Sequence, residues 1–486
     1  NKSRKNQKIS TQNVRRTDRH FKRNEQMSKV WKFDGLLQEE GWLTPCYVKT
    51  DSKGHIEEIS QIRPNDTGHL ESVEGFVIPG FQNSHSHSFQ YAMSGLAEIH
   101  PDPASQDDFW SWRETMYSIA LSMNPDQFEH IAAMLYAEML SHGYTHVAEF
   151  HYVHHNKDGR PYSNLAEMGE RLVSAAKTAG IGITLVPIFY QKGGFGKKAV
   201  EKQRRFISKT SADYLELLSA SDKATNNYSK ANIGLGIHSL RAVDQHSIGE
   251  AFQESKHSPI HIHIAEQLKE VEDSLAFYNQ RPVEWLLDNF NVNKKFHLVH
   301  ATHLSENEVA GIARSGAHVV LCPSTEGNLG DGIFPLHSFQ EQSGNWSIGT
   351  DSHIGLNPLE ELRILDYGQR LTTHRRNQFI SPTNGDSGLF AVDMALTSGR
   401  KAMGNSNETY FKIGQPMDAV VIDSKSPLIA TCEAKNILST LVYSGDRTNV
   451  YGTLVDGEWK VKDGRHQKLD GILSNFKKSL SELKIR

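Results

Sequence analysis

Residues 83–90 run NSHSHSFQ, two residues after the apolar stretch VIPG. In a strand, successive side chains alternate faces, so His85 and His87 point to one side while Ser86 points to the other. Two imidazoles on one face make a claw for a divalent cation, and three further stretches offer matching donors. HIHIAEQ supplies His261, His263 and Glu266, LVHATH supplies His300 and His303, and GTDSH supplies Asp351. Zinc and its neighbours prefer imidazole and carboxylate ligands, and a catalytic site keeps one position open for water. His85, His87, His263, His300 and Asp351 are therefore the candidate metal donors. His263 is preferred to His261, on the same strand face, because it lies nearer the strand's end. His300 is preferred to His303, which falls in the loop beyond. Glu266, three residues past His263, is placed to shuttle protons beside the metal. Asp351 could bind with one oxygen and accept a proton from bound water with the other, the metal having lowered that water's pKa toward about 7. IGLGIHSLRA contains no lysine that could be carbamylated to bridge two metals, so one ion is expected.

These donors are scattered over more than half the chain, and an ordered scaffold must bring them together. From residue 80 to 405, short β-rich runs alternate with helical patterns. Asn124-Pro125 opens a helix whose Phe128, Ile131, Leu135 and Met139 fall at helical spacing, and Gly143 closes it. Eight runs alternate in this way: VIPGFQNSH, YTHVAEF, IGITLVPIFY, IGLGIHSLRA, PIHIHIAE, KFHLVHAT, AHVVLCPST and WSIGTDSH. That alternation predicts the α/β class and, within it, a (β/α)8 TIM barrel. Apolar residues fill each run until its last positions, where His85, His87, Glu149, Tyr152, Tyr190, His238, Arg241, His263, Glu266, His300, Thr325, Glu326 and Asp351 stand. In such barrels the C-terminal strand ends carry the chemistry.

Residues 27–79 and 406–470 read as short strands broken by Gly and Asp turns. Neither is apolar enough alone, so the two are expected to combine into one small β-sandwich around the 80–405 barrel. Residues 471–486 read as an amphipathic packing helix. Residues 1–26 carry nine Lys and Arg against two acidic residues, a net +7 that leaves −11 on the remainder of a chain whose formal charge is −4. With almost no apolar residues, this segment is expected to be a disordered basic tail. Met27 directly precedes the strand-like SKVWKFDGLL, so residues 1–26 read as an upstream extension. An acidic body argues against nucleic-acid binding. No apolar run is long enough to span a bilayer, and no membrane partner is expected. Cys46, Cys322 and Cys432 are odd in number and far apart, which predicts no disulfide framework and a cytoplasmic location.

The combination PGFQNSHSH, HIHIAEQ, LVHATH and GTDSH resembles the single-metal aminohydrolase branch of the amidohydrolase superfamily. FWSWRETMY, AEFHYVHH, IHSLRAV, STEGNLGDGIFP and EELRILDYGQRL narrow the resemblance to its formimidoylglutamate deiminase family, over roughly residues 28–470. The resemblance implies hydrolysis of N-formimidoyl-L-glutamate, a small dianion from histidine breakdown, to N-formyl-L-glutamate and ammonia. It implies metal-bound hydroxide attacking the formimino carbon, with Asp351 taking the water proton and Glu266 serving the leaving nitrogen. His85, His87, His263 and Asp351 match the family's ligands. His300 either binds the metal too or hydrogen-bonds the attacking oxygen. Zinc is the expected ion, with ferrous iron compatible. Two carboxylates call for fixed cations of guanidinium shape. Arg241, read as lying on strand four beside His238, and Arg113, read as lying in the loop after strand one, occupy the matching positions, as do Gln90 and Tyr152. A homodimer is the implied assembly. The alternative is another mononuclear aminohydrolase acting on guanine or a related purine, whose flat neutral ring would want stacking and amide contacts instead of two arginines.

Overall fold

The computed structural model describes residues 28–65, 69–99, 108–254, 259–379, 385–407 and 409–484, and the basic tail expected over residues 1–26 lies outside them. Its centre is a ring of parallel strands: β1 (Phe81–Ser86), β2 (Tyr144–His151), β3 (Gly182–Phe189), β4 (Leu235–Ile237), β5 (Ile260–Ile264), β6 (Phe296–His300), β7 (His318–Leu321) and β8 (Asn345–Ile348). Each strand pairs with the next in sequence order. The seam between β8 and β1 is stitched by a parallel bridge from Ser86 to Asp351 and by the Thr350 and Asp351 amides, which donate to the His85 carbonyl at 3.1 and 3.0 Å. The expected TIM-like barrel is thus present, with its closure at the candidate metal donors.

The helices that position the strands begin and end where local chemistry dictates. Helix α1 spans Phe109–Ser122, α2 Pro125–Ser141, α3 Glu167–Ala179, α4 Leu268–Tyr278, α5 Pro323–Leu329 and α6 Leu469–Leu483. At the start of α2 the Asn124 side chain accepts from the Gln127 amide at 2.9 Å and Gln127 accepts from the Asn124 amide at 3.1 Å. This reciprocal cap contributes about 1 kcal/mol. Gly143, at φ 92°, then turns the chain into β2.

Three strand readings need correction. The run VIPGFQNSH divides at Gly80: Gly75–Pro79 joins a different sheet and only Phe81–Ser86 enters the barrel. A Cβ at Gly80 would lie 2.2 Å from the Thr145 side chain, so only glycine lets the chain cross there. Strand β4 stops at Ile237, which leaves Arg241 in the turn beyond it. Strand β7 stops at Leu321, because Pro323 occupies the first position of α5, so Thr325 and Glu326 are helical.

Strands from both flanks of the barrel meet in a second body. Lys29–Phe33, Cys46–Thr50, Ile56–Ser60 and His69–Ser72 form one sheet. Gly35–Gln38, Gly41–Leu43 and Gly75–Pro79 join Ala419–Asp423, Val450–Val455, Glu458–Lys462 and Arg465–His466 in another. Trp31, Val48, Val77, Met417, Val421 and Leu454 bury their side chains in the core the two sheets share. Neither flank could close such a core alone.

Two positions deeper in the barrel than His263, the register partners His261, His297 and His318 stack their rings at centroid distances of 4.9 and 5.0 Å. Burial pushes His261 and His318 down to about 4, and burial together with the flanking rings holds His297 well below its ordinary value. The unfolded chain takes up these protons below about pH 6.5, whereas the folded chain resists until about pH 4. Stability should therefore fall as pH drops through that window, by about 1.4 kcal/mol per pH unit for each ring. His297→Phe, which keeps a flat ring in the stack, is expected to make the acid-unfolding curve shallower by circular dichroism. An unchanged slope would dissociate the stack from acid lability.

Candidate metal centre and active site

The end of β1 delivers His85 inside the strand and His87 just past it, with every residue of Phe81–Ser86 buried. As the alternation demands, Ser86 turns the other way. Its hydroxyl donates to Glu149 on β2 at 2.7 Å, and the Ser88 amide donates to the other Glu149 oxygen at 2.7 Å. That buried carboxylate grips the chain on both sides of His87. His263 comes from β5, and His85 Nε2 lies 3.1 Å from His87 Nε2 and 3.0 Å from His263 Nε2.

The proton positions follow from the outer nitrogens. His87 Nδ1 lies 2.9 Å from the Phe150 carbonyl and His263 Nδ1 lies 3.1 Å from the His238 carbonyl. A carbonyl only accepts, so both Nδ1 atoms carry hydrogen, which leaves the two Nε2 atoms as the positions a cation would use. Burial pushes His85 down to about 3 and, together with the neighbouring imidazoles, His263 well below its ordinary value, which keeps these rings neutral. Lone pairs converging at this range repel unless a cation stands among them. The donor set therefore fits one divalent ion, and the outer hydrogen bonds are those that orient histidine ligands.

Asp351, past the end of β8, brings Oδ1 to 3.2 Å from His87 Nε2 and 3.6 Å from His85 Nε2. Burial works against its charge, but the two imidazoles beside it hold the carboxyl well below the usual range. His300 closes β6, with Nε2 at 3.5 Å from Asp351 Oδ2 and 3.8 Å from Glu266 Oε1, while its Nδ1 reaches Glu326 Oε1 at 3.2 Å. Burial opposes protonation of His300, yet Glu266, Glu326 and Asp351 raise it to about 10. Burial likewise pushes the Glu266 carboxyl up, against the pull of His300 and Arg241. The backbone is bent to aim these groups: Ala265, His300, Ala301 and Asp351 adopt left-handed φ values of 52°, 69°, 48° and 44°. Each such residue costs on the order of 1 kcal/mol, which the packed barrel holds in place.

The predicted binding residues line the same cavity as His87, His263, Glu266, His300 and Asp351. Gln90 donates to the Tyr152 hydroxyl at 3.1 Å, and His238 packs its ring 4.2 Å from that of Tyr190. Arg241 donates to Glu270 Oε2 at 3.1 Å, and Glu270 also accepts from the Ala265 and Glu266 amides at 3.1 and 3.3 Å. One carboxylate thus links the arginine to the backbone that carries Glu266. Arg113 does not lie in a loop. It belongs to α1, where its guanidinium sits 4.5 Å over the Trp110 ring. His261 and His303 stand apart from the cluster, bonded to the Ala402 and Asp331 carbonyls at 2.9 and 2.8 Å.

Two groups at the site went without a role in the sequence reading. Glu149 and Glu326 were visible as polar residues after apolar runs, but their work lies in contacts to Ser86, from β2 to β1, and to His300, from α5 to β6. The aromatic wall of Phe109, Trp112, Tyr117 and Phe206 was also missed. A Phe-Trp-x-Trp cluster just before Arg113 was its only signal.

Comparison with known proteins agrees with this geometry. Residues 76–460 match the family model for the amidohydrolase family. The chain is 43% identical over 460 residues to formimidoylglutamate deiminase of Pseudomonas aeruginosa, covering 94% of this chain and 100% of the relative. An amidohydrolase from Brucella melitensis, solved by crystallography, superposes with a TM-score of 0.88 at 40% identity, covering 94% of this chain and 100% of that one. An adenosine deaminase from Xanthomonas campestris with bound zinc shares the fold at a TM-score of 0.76 and 19% identity, over 95% and 99% of the two chains. On the strength of a family match over most of its length and a relative covered from end to end, the chain belongs to the amidohydrolase family.

Proposed function

We propose that the chain catalyses the hydrolytic deimination of N-formimidoyl-L-glutamate to N-formyl-L-glutamate and ammonia, a step of histidine breakdown. The observation that carries this reading is one cavity lined both by the metal-donor cluster with Glu266 and by two guanidinium groups, Arg113 and Arg241. The identity to the Pseudomonas aeruginosa deiminase supports it. His85, His87, His263 and Asp351 would hold one divalent ion, which the neutral imidazole and carboxylate donors make zinc in our assignment. When bound, such an ion acidifies water so that a hydroxide nucleophile exists near neutral pH.

The chain's own residues do the rest. Arg113 and Arg241 bind the substrate's carboxylates, with Gln90, Tyr152 and His238 fixing its orientation. Asp351, anionic at neutral pH, accepts the proton that water loses on attacking the formimino carbon. Glu266, whose carboxyl burial shifts toward the protonated form, passes to the formimino nitrogen the two protons that water gives up, the one taken by Asp351 and the one lost from the new hydroxyl as the carbonyl forms. We assign His300 to hydrogen-bonding the attacking oxygen, because its Nε2 lies beside Asp351 Oδ2 and its Nδ1 is held by Glu326. The carbon–nitrogen bond then breaks and ammonia leaves.

Purified protein should release ammonia and N-formylglutamate in equal amounts from N-formimidoylglutamate. Ammonia released only from guanine, or direct formation of glutamate and formamide, would overturn the assignment. Arg113→Ala is expected to raise KM by roughly 10- to 100-fold with a smaller effect on kcat, as for a charge-assisted hydrogen bond worth about 1.5–3 kcal/mol. Unchanged KM would remove Arg113 from substrate binding.

A further inference from the structure

Beyond the active cavity lies a second, outer chamber, and the two share Arg113 and Arg241 in their walls. The hairpin of Lys192–Gly194 and Lys197–Lys198 forms one side of the chamber and helix α4 another. Phe195, at the hairpin tip, packs its ring 5.7 Å from Phe277 and 5.5 Å from Tyr278 of α4. The turn itself demands glycine: Gly196 sits at φ +64°, and a Cβ on Gly193 would lie 2.5 Å from the Lys198 carbonyl oxygen. The hairpin therefore holds Lys197 against the chamber by a defined turn and an aromatic latch.

Charge gives this chamber its character. Lys197 is exposed and, among the described residues, makes no ion pair. Lys269 pairs with Asp273 at 3.0 Å, but the two side chains are 54% and 39% exposed, and such pairs contribute less than about 1 kcal/mol. Arg241 pairs with Glu270. Four cations, Arg113, Lys197, Arg241 and Lys269, thus share the chamber wall with one carboxylate, Asp273, in a body that carries a net −11 outside its basic tail. An acidic protein repels a dianion at long range. A positive mouth reverses that within a Debye length, about 8–10 Å at physiological salt.

We propose that the outer chamber is a capture subsite for dicarboxylate anions, in which Lys197 and Lys269 engage the incoming carboxylates and pass them inward to Arg113 and Arg241. It rests on the substrate reading given above. The lysines act on arrival, before the chemistry, so they govern kcat/KM and its dependence on ionic strength and leave kcat alone. Neither touches the catalytic groups.

The test compares wild type, Lys197→Gln, Lys269→Gln and Lys197→Glu over about 20–300 mM NaCl, a range across which screening changes severalfold. Wild-type kcat/KM for N-formimidoylglutamate should fall as salt rises. Each Gln variant should lose roughly two- to fivefold in kcat/KM at low salt and Lys197→Glu about tenfold, all with flatter salt dependence, unchanged kcat and an unchanged melting temperature. Wild-type kcat/KM and salt slope in all three variants would overturn the proposal. Should wild type fail to turn over N-formimidoylglutamate at all, the substrate reading falls. The chamber is then judged by calorimetric binding of glutarate, expected to weaken in Lys197→Glu and, if equal in both proteins, sinking the capture subsite as well.

Discussion

Glu266→Gln is expected to lower kcat by about a thousandfold while leaving bound metal at its wild-type stoichiometry and the fold intact. Glutamine keeps the size and shape of the side chain and removes only its ability to exchange a proton. Besides its share, with Glu326 and Asp351, in keeping His300 protonated, Glu266 stands apart from the His85, His87 and His263 trio, with His300 Nε2 at 3.8 Å. Its backbone amide, held by Glu270 at 3.3 Å, is untouched by the change. KM should move little, since the arginines proposed to hold the carboxylates remain. Steady-state kinetics paired with elemental analysis separate the possibilities. Full activity would strike Glu266 from the mechanism, and loss of metal would make it a ligand.

The second large effect is expected at His85. Its Nε2 is the hub of the donor set, within 3.1 Å of both His87 and His263, and its side chain is wholly buried. Mutating groups that merely orient a ligand typically costs 10- to 100-fold in metal affinity or activity. Loss of the hub imidazole in His85→Asn should therefore cost more than about a hundredfold in both. A chelator should inactivate wild type in the same way and lower its melting temperature, because a ligand that binds only the folded state stabilises it. Added zinc should restore wild type and not the variant. Stoichiometric metal in active His85→Asn would refute the ligand set.

What could be read from the chain alone follows the range of the forces involved. The His85–His87 claw rests on the two-residue period of a strand, and the choice of His263 over His261, which share a face, rests on which lies nearer the strand's end; both are local rules that the sequence displays directly. Asp351 was legible through GTDSH, although its left-handed φ of 44° was not. Arg113 was misplaced because the helix α1 that carries it begins just after Asp108, whose side-chain cap on the Trp110 and Ser111 amides went unread. Glu326 was noticed but not understood. Its partner His300 is 26 residues away, and only the pairing of β7 with β6, with α5 following directly on β7, brings them to 3.2 Å. The strand at Gly75–Pro79 reads as continuous with β1 because a single glycine separates two sheets, and hydropathy does not register a change of neighbours.

That single glycine has a mechanical consequence. Strand Gly75–Pro79 lies between Gly35–Gln38 and Ala419–Asp423, so segments from either side of the barrel in the sequence clamp it, and it ends six residues ahead of His85. A proteolytic nick or truncation that frees Ala419–Asp423 would slacken this tether first. A chain cut so as to lose this partner strand is expected to hold less metal than the intact protein by elemental analysis, and equal metal content would disconnect the outer sheet from the donor set.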